Sequence, residues 1–347
     1  MAIASAYRID QVDVTQLEDA DLEALARLRQ ALEHERSLED PVTPLELVRR
    51  RLRNRPGTAI QRDWIVRSGK EVVATAQVVR WMMADNPHWR DVWIGVRADH
   101  RRKGLATELL REMVAAGADD PEIVMGSWVA DRVPAGDAFA RAIGATVGLA
   151  TRSSELALAD IDRALVAEWA AIDPAGYRLA WIDGDIPDEL MDQVVVAYDT
   201  MNTAPMDDLQ EGTWRTTPEM VRSWDRVRNA NGGVRRLLLA IHEATGEGAG
   251  FTEVIRHPMT PWVIWQQGTA VVPAHRGHGI GKWVKAQMIE RIFREWSDSK
   301  VVRTGNAFSN APMLSINDRL GFKVTFTTNI FQVPLAEATR YVEARSA

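Results

Sequence analysis

The chain of 347 residues contains no cysteine. Disulfides, thiolate nucleophiles and cysteine-ligated metals are therefore excluded. The seven histidines show no HExxH or other ligand spacing, so we predict no metal site. No apolar run approaches the ~20 residues of a membrane helix. The first residues also lack the basic and apolar segments of a signal peptide. We therefore expect a cytoplasmic protein with no membrane partner.

Acidic residues slightly outnumber basic ones, 48 to 42. The formal net charge is −6 at pH 7, and the chain has only six lysines. Because nucleic-acid binding needs a basic surface, we expect no nucleic-acid partner. The hydrophobic fraction of 46% and the charged fraction of 26% are ordinary for a globular protein. The length suggests about two domains.

An internal duplication organises the chain. Gly104 in RRKGLA and Gly279 in RGHGIG are 175 positions apart (279 − 104). Each glycine follows a strand-like run (91–96 and 268–272) and precedes a helical pattern (105–117 and 280–296). A further strand and a short helix ending in glycine follow in both places. We infer two copies of one α/β domain, residues 1–170 and 171–347. Each has a mixed central sheet with helices on both faces.

The two glycine loops share the pattern Arg-x-x-Gly-x-Gly/Ala. A Walker loop is excluded, because Gly281-Lys282 is followed by Trp283 and its first glycine would fall at Arg276. The glycine spacing is also wrong for a dinucleotide fingerprint. Small residues at a helix N-terminus let backbone N–H groups approach an anion, so we predict a phosphate-binding loop. The alternative is a helix start that merely needed glycine.

With these loops and their matching flanks, the sequence resembles the GNAT N-acetyltransferase superfamily along almost its whole length. The resemblance implies that the loops bind the pyrophosphate of acetyl-CoA and that the preceding strand holds its pantetheine arm. The second copy would contribute the following cofactor-binding residues: Ala270, Val271, Val272, Arg276, Gly277, His278, Gly279, Ile280, Gly281, Lys282, Asn306 and Asn310. The first copy would contribute Val96, Arg101, Arg102, Lys103, Gly104, Leu105, Ala106 and Thr107.

The second copy retains more of the family pattern than the first. Its segment 304–322 resembles the family's later strand and helix, and Asn310 matches an Asn that contacts the CoA arm. Many members place a tyrosine, the general acid for the thiolate, where this chain has Asn317. The first copy has Ala140 there. An Asn can hydrogen-bond sulfur but supplies no titratable proton. The arrangement is similar to that of mycothiol synthase-like tandem proteins, which implies chemistry in the second copy and a degenerate first copy.

Acetyl transfer to an amine needs a base, a polarised carbonyl and a leaving thiolate. We predict Glu253 as the base, with a solvent-facing strand residue as the alternative, and His275 and His278 as other candidates. The resemblance implies that the Val272 N–H polarises the carbonyl. An acidic loop could attract a cationic amine, and its candidate substrate residues are Asp207, Asp208 and Glu211. The tryptophans near the second loop (Trp262, Trp265 and Trp283) are interpreted as core residues.

The sequence therefore predicts an acetyl-CoA-dependent N-acetyltransferase acting on a small-molecule amine, with catalysis in the second copy. Two alternatives stay open. The donor could be a longer acyl-CoA, because the pyrophosphate is the same. The chain could instead be a non-catalytic CoA-binding scaffold, because both copies lack the tyrosine. We expect a monomer or a homodimer.

Overall fold

The computed structural model describes residues 6–82, 85–117, 120 and 122–345. The strands in chain order are β1 (Arg8–Val12), β2 (Ala59–Ser68), β3 (Glu71–Trp81), β4 (Trp89–Val96), β5 (Val124–Ala130), β6 (Thr146–Ala157), β7 (Tyr177–Asp183), β8 (Val234–His242), β9 (Gly248–His257), β10 (Thr260–Val271), β11 (Val301–Ala307) and β12 (Lys323–Pro334). The helices are α1 (Asp19–Glu35), α2 (Leu45–Arg53), α3 (Leu105–Ala115), α4 (Pro134–Ala142), α5 (Arg163–Ala170), α6 (Met191–Asp199), α7 (Pro218–Asn231), α8 (Ile280–Glu295), α9 (Ala311–Leu320) and α10 (Leu335–Glu343).

The chain forms two compact units. Unit 1 comprises Met1–Ala150, Met206–Gly212 and Thr327–Ala347, and unit 2 comprises Thr151–Pro205 and Thr213–Phe326. The strand order is β1-β2-β3-β4-β5-β12 in unit 1 and β6-β11-β10-β9-β8-β7 in unit 2. In each unit one neighbouring pair is parallel, β4 with β5 and β10 with β11. The predicted mixed sheet is therefore confirmed.

Helices cover both faces of each sheet, as predicted. In unit 1, Trp64 of β2 packs with α3, whereas its neighbour Ile65 packs with α1. In unit 2, Leu238 of β8 packs with α8, whereas Leu239 packs with α6. Successive side chains of a strand point to opposite faces. The continuous apolar runs in these strands therefore form two cores, one on each face.

The compact units do not follow the contiguous division that the sequence suggests at residue 170. Residues 328–334 of β12 pair antiparallel with β5 in unit 1, and residues 151–157 of β6 pair antiparallel with β11 in unit 2. The last strand of each sequence copy thus belongs largely to the other copy's unit. The predicted element order of each copy also omitted this last strand.

Helix α5 belongs to unit 2, although it lies within residues 1–170, the predicted first copy. The Asp162 carboxylate accepts hydrogen bonds from Ala164 N and Leu165 N, which starts the helix. Val166 and Trp169 are then fully buried in the same core as α8. Burial of this apolar stripe fixes α5 in unit 2.

A pair of phenylalanine substitutions tests the assignment of β12 to unit 1. Phe331 of β12 and Phe251 of β9 are both almost fully buried. We expect Phe331→Ala and Phe251→Ala each to cost about 3–5 kcal/mol. Hydrogen exchange should show the lost amide protection in β5 for Phe331→Ala and in β8–β10 for Phe251→Ala. Retained protection of β5 in the Phe331 variant would contradict the assignment.

Candidate active site

The candidate site of unit 2 lies where two parallel strands separate. Pairing between β10 and β11 covers only Val263–Trp265 with Val301–Arg303, although β10 continues to Val271. A cavity of about 600 Å³ opens beyond the paired region. This size lies within the range of small-molecule and cofactor sites. A strand edge without a partner has N–H and C=O groups left for a ligand.

Strand β10 also carries a register shift against β9, between Gln266 and Thr269. The Gln266 amide donates to Glu253 O at 2.7 Å, which stabilises the irregular backbone. In unit 1, β3 and β4 pair without a shift from Ala74 to Val79. Such bulges are frequent beside active sites because they redirect side chains.

The second glycine loop, Arg276–Gly281, starts helix α8 at the cavity. Gly277 and Gly279 have φ values of 86° and 80°, a left-handed conformation that favours glycine. Gly279 is the N-cap of α8. The first N–H groups of the helix have no carbonyl within the helix to bond, so they can hold an anion.

Arg276 is fixed by uncharged partners. Its Nε donates to Val271 O at 3.1 Å, and its Nη2 donates to the Thr203 hydroxyl at 2.7 Å. No described carboxylate forms an ion pair with it. Its positive charge therefore remains available to an anionic ligand.

The first glycine loop, Arg101–Ala106, has the same backbone but a different charge. Arg101 Nε donates to Val96 O at 3.0 Å, as Arg276 does to Val271. Both terminal nitrogens of Arg101 then bond the Glu35 carboxylate, one of them at 2.7 Å. Arg102, equivalent to Gly277, has a φ of 61° and therefore holds a conformation that glycine would adopt more easily.

Most predicted cofactor-binding residues line the two cavities. In unit 2 these are Ala270, Val271, Arg276, Gly277, Gly279, Ile280, Gly281, Lys282, Asn306 and Asn310. Val272 and His278 are not among the lining residues. In unit 1, a cavity of about 730 Å³ is lined by Val96, Arg101, Arg102, Gly104, Leu105 and Ala106, but not by Lys103 or Thr107.

The charges that line the unit 2 cavity are all positive. Arg276, Lys282 and Lys285 are lining residues, and no described Asp or Glu is among them. Lys282 is also 5.5 Å from the centre of the Trp169 ring. The cavity therefore suits a polyanion such as a pyrophosphate better than a cation.

Lys285 is a charged lining residue of the cavity that the sequence prediction missed. Its side chain is 97% buried (relative exposure 3%), and Nζ donates to Asn317 Oδ1 at 2.8 Å. Asn317 in turn donates to Asn306 Oδ1 at 2.8 Å. Burial lowers the pKa of Lys285 to about 7. A lysine within the buried stripe of α8 was the sequence signal that could have found it.

The structure moves Asn317 away from its predicted contact with the cofactor. Asn317 is almost fully buried at 1% exposure and is not a lining residue of the cavity. Its side chain bridges Lys285 and Asn306. We therefore interpret it as a residue that positions Lys285. Asn310 lines the cavity, and its side chain caps α9 by accepting from Met313 N.

Glu253, the predicted base, lies outside the cavity lining. Tyr198 donates to its carboxylate at 3.0 Å, and Arg235 pairs with it at 3.6 Å. Arg235 also pairs with Asp225 at 2.7 Å. Burial raises the pKa of Glu253. The carboxylate is thus part of a buried ionic network, which removes the geometric support for its role as a base.

The Val272 N–H is not free to polarise a carbonyl, because it donates to Ala249 O at 2.9 Å. Alternate residues of a strand direct their N–H groups to opposite edges. The N–H of Val271 therefore lies on the edge toward the cavity. The structure thus corrects the predicted role of Val272.

His275 lines the cavity, and its Nδ1 is 3.0 Å from the Tyr177 hydroxyl. Burial and the neighbouring His242 lower the pKa of His275. The first copy repeats the contact between Tyr7 and His100, also at 3.0 Å. Because both copies have it, this contact supports the duplicated fold rather than a function of one copy. His278 lies in the loop, 5.6 Å from the Tyr177 ring.

The predicted substrate residues do not lie at the unit 2 cavity. Asp207, Asp208 and Glu211 belong to the segment Met206–Gly212 of unit 1. The buried side chain of Leu209 anchors this segment, and Gln332 bonds its backbone at two points. The acidic composition of this loop therefore did not indicate its location, because the apolar Leu209 determines where the loop packs.

The three tryptophans do not line the cavity. Trp283 is buried, as predicted, whereas Trp265 is 44% exposed and is not the core residue that the sequence suggested. The Arg303 guanidinium lies 5.1 Å from the Trp262 ring and 5.9 Å from the Trp265 ring.

Within the described part of the chain, no cluster of metal-ligating side chains is found. No described helix is both long and apolar enough to cross a membrane.

Comparisons with known proteins agree with this geometry. Residues 25–144 match the acetyltransferase (GNAT) family. A tandem GNAT protein from the clavulanic acid biosynthesis pathway is 24% identical, with a TM-score of 0.76 over 95% of this chain and 98% of that one. A GCN5-related N-acetyltransferase from Sphaerobacter thermophilus is 14% identical, with a TM-score of 0.66 over 96% and 97%. None of the curated proteins matches the chain.

The third similar structure is a GCN5-related glucosamine N-acetyltransferase region of a fungal multi-domain GH3 β-N-acetylglucosaminidase. It is 12% identical, with a TM-score of 0.64 over 96% of this chain and 39% of that one. The chain thus carries a GNAT family domain over residues 25–144 and has the fold of a tandem GNAT protein.

Alanine substitutions in the second glycine loop test its backbone geometry. Gly279→Ala should cost about 1 kcal/mol or more, because φ is positive there. Gly281→Ala should be nearly neutral, because its Cβ would meet Val271 and Ile316 at ordinary distances of 3.5 and 3.6 Å. Urea unfolding of the two variants measures the difference. Equal stabilities would contradict the conformation described for this loop.

The pKa of Lys285 predicts a pH-dependent stability. The folded-state value of about 7 lies below the usual 10.5, so the parent protein gains stability as pH rises from 7 to 10.5. We expect Lys285→Leu to be more stable than the parent by roughly 2 kcal/mol at pH 6.5. This difference should shrink toward pH 10. Urea unfolding at both pH values tests it, and a constant difference would contradict the lowered pKa.

Proposed function

We propose that unit 2 transfers an acetyl group from acetyl-CoA to a small-molecule amine. The observation that carries this proposal is the charge around the second glycine loop. Arg276 bonds a hydroxyl at the position where Arg101 of the first copy bonds a carboxylate. Helix α8 adds its N-terminal N–H groups and the positive end of its dipole. These residues suit the pyrophosphate of CoA.

The open edge of β10 supports the rest of the proposal. The N–H of Val271 would bond the arm or the thioester of the donor, and Asn306 and Asn310 offer further polar contacts along the cavity. The chain's main contribution is to hold the donor carbonyl and the amine together, because positioning supplies much of the rate. Lys285, a lining residue whose pKa burial lowers to about 7, is available to move protons.

The acceptor side of the cavity is uncharged. Thr200, Met201, Pro205, Gln266 and Gln267 line it, and no carboxylate is present among the lining residues. We infer an amine with neutral or negatively charged polar groups rather than a polycation. The fold likeness to a glucosamine N-acetyltransferase region agrees with a small polar acceptor.

In unit 1, the same loop is adjacent to Glu35, which neutralises Arg101. We infer that the first copy binds a pyrophosphate weakly or not at all. Its cavity is deep and apolar, with Leu110, Met113, Phe139 and Phe331 among its lining residues. This observation favours a second candidate, in which unit 1 holds a longer acyl-CoA.

Three further expectations from the sequence stay predictions. They are a cytoplasmic location, a monomeric or homodimeric state, and the likeness to mycothiol synthase-like proteins.

Calorimetric titration with acetyl-CoA tests the assignment to unit 2. We expect a stoichiometry of about one for the parent protein, no binding for Gly279→Glu and unchanged binding for Gly104→Glu. A glutamate at either position adds a negative charge to the loop that is predicted to hold the pyrophosphate. Octanoyl-CoA with a stoichiometry of two, reduced to one by Gly104→Glu, would support the second candidate. Absence of binding by the parent would contradict both.

A charge exchange between the copies sharpens the test. Thr203→Glu gives Arg276 the carboxylate partner that Arg101 has, so acetyl-CoA affinity should fall roughly tenfold, or about 1.4 kcal/mol. The matched control, Thr203→Gln, has the same size without the charge and should bind within about threefold of the parent. An acetyl transfer assay with amino acids and amino sugars then identifies the acceptor class. Binding without transfer to any amine would favour a non-catalytic scaffold.

A further inference from the structure

Lys285 is an unusual residue to find inside a protein. It is 3% exposed, and its described hydrogen-bond partner is the uncharged Asn317. No described carboxylate pairs with it. The Phe322 ring lies 5.3 Å from its Nζ. Burial of a lysine without an opposite charge destabilises a fold, so a structural role alone is a poor explanation.

The first copy shows that the fold does not need a polar group here. The equivalent of Lys285, 175 positions earlier, is Leu110 (285 − 110), and the equivalent of Asn317 is Ala140. Both Leu110 and Ala140 are buried, and both line the unit 1 cavity. The same helix pair is therefore stable with an apolar filling. The polar group belongs to the chemistry of the second copy.

The position of Lys285 is suitable for contact with a bound ligand. It lines the unit 2 cavity, as does Asn306. Asn317 holds Nζ through one hydrogen bond, and its amide in turn bonds Asn306. An ammonium group has three N–H donors, so two remain for a ligand. The two asparagines thus fix Lys285 without removing its capacity to donate.

The protonation of Lys285 also suits proton transfer at neutral pH. Burial lowers its pKa to about 7, so both forms are populated there. No Tyr, Asp or Glu lines the cavity within the described chain. His275, the other group of this kind, already bonds the Tyr177 hydroxyl. A general acid works best with a pKa near the operating pH.

We propose that Lys285 is the proton donor to the departing CoA sulfur in unit 2, and that Asn317 positions it. This inference rests on the proposed acetyl transfer. The amine nitrogen bonds the acetyl carbon, the carbon–sulfur bond breaks, and the sulfur keeps the electron pair. Lys285 gives one proton to the sulfur, and the proton lost by the attacking nitrogen returns to Lys285 directly or through water. The products are an amide and a thiol, with no net proton change.

The sulfur of bound CoA reports this contact without any transfer reaction. A nearby ammonium lowers a thiol pKa, so the thiolate absorbance of the CoA complex should appear at lower pH than for free CoA. In Lys285→Met, measured at saturating CoA because one of the three lining cations is lost, this shift should disappear. Lys300→Met is the matched control, because Lys300 is exposed and lies outside the cavity lining. The thiol of CoA bound to this control variant should titrate at the same pH as in the parent complex.

Kinetics form the second test. For Lys285→Met we expect kcat to fall by about 10²-fold or more, with the KM for acetyl-CoA within about threefold of the parent. The fall of kcat at alkaline pH, which reports deprotonation of Lys285 in the parent, should be absent from Lys285→Met. In Asn317→Leu this fall should occur at a different pH. The variant should lose less of its kcat, because the ammonium group remains but is no longer held by a hydrogen bond.

The outcomes separate this inference from the proposed function. A parent that binds no CoA contradicts both. A bound thiol with an unshifted titration, or a Lys285→Met variant that keeps kcat within threefold, overturns the role of Lys285 alone. A shifted thiol in a parent that acetylates no amine overturns the proposed function and retains Lys285 as the partner of the sulfur.

Discussion

Parallel pairing between β10 and β11 ends after Trp265, and the candidate site depends on this separation. The paired residues hold the two strands together at one end. Beyond them, β10 has a free edge, and the space between the strands is the cavity. The N-terminus of α8 lies at this cavity, and Lys285 lines it from the second turn of the same helix. One local loss of strand pairing therefore creates both the space for a ligand and the unpaired backbone groups that bind it.

The two copies share this geometry but differ in their electrostatics. Unit 1 has the same parting of β4 from β5 and the same left-handed glycine before its helix. Glu35 cancels the loop arginine there, and Leu110 replaces the buried lysine. Unit 2 has a hydroxyl and an ammonium at these two places. The two copies thus share a backbone and differ in the charges of their side chains. The family model matches the first copy, whereas the second copy has a cavity lined by Arg276, Lys282 and Lys285.

The sequence predicted the parts of the fold that depend on local rules. Glycine spacing and apolar periodicity identified the loops, the helices and most strands. It did not predict that β6 and β12 complete the opposite units, because the partner of a strand is a non-local property. Glu253 and Asp207 lie outside the lining of the unit 2 cavity for similar, non-local reasons. Glu253 is paired with the buried Arg235. Asp207 lies in a segment of unit 1 that the buried side chain of Leu209 anchors. Lys285 was detectable as a charge in an apolar stripe.

The exchange of the last strands has a consequence for the order in which the chain can fold. The β5 edge in unit 1 gains its partner only when residues 328–334 are available. During synthesis, about 200 further residues must leave the ribosome before this pairing is possible. Unit 1, although encoded first, is therefore completed last, and its open β5 edge is exposed to wrong partners throughout that interval. Contacts of such large sequence separation also slow folding, so the β5 edge stays open for longer than an edge that pairs with a strand close in sequence.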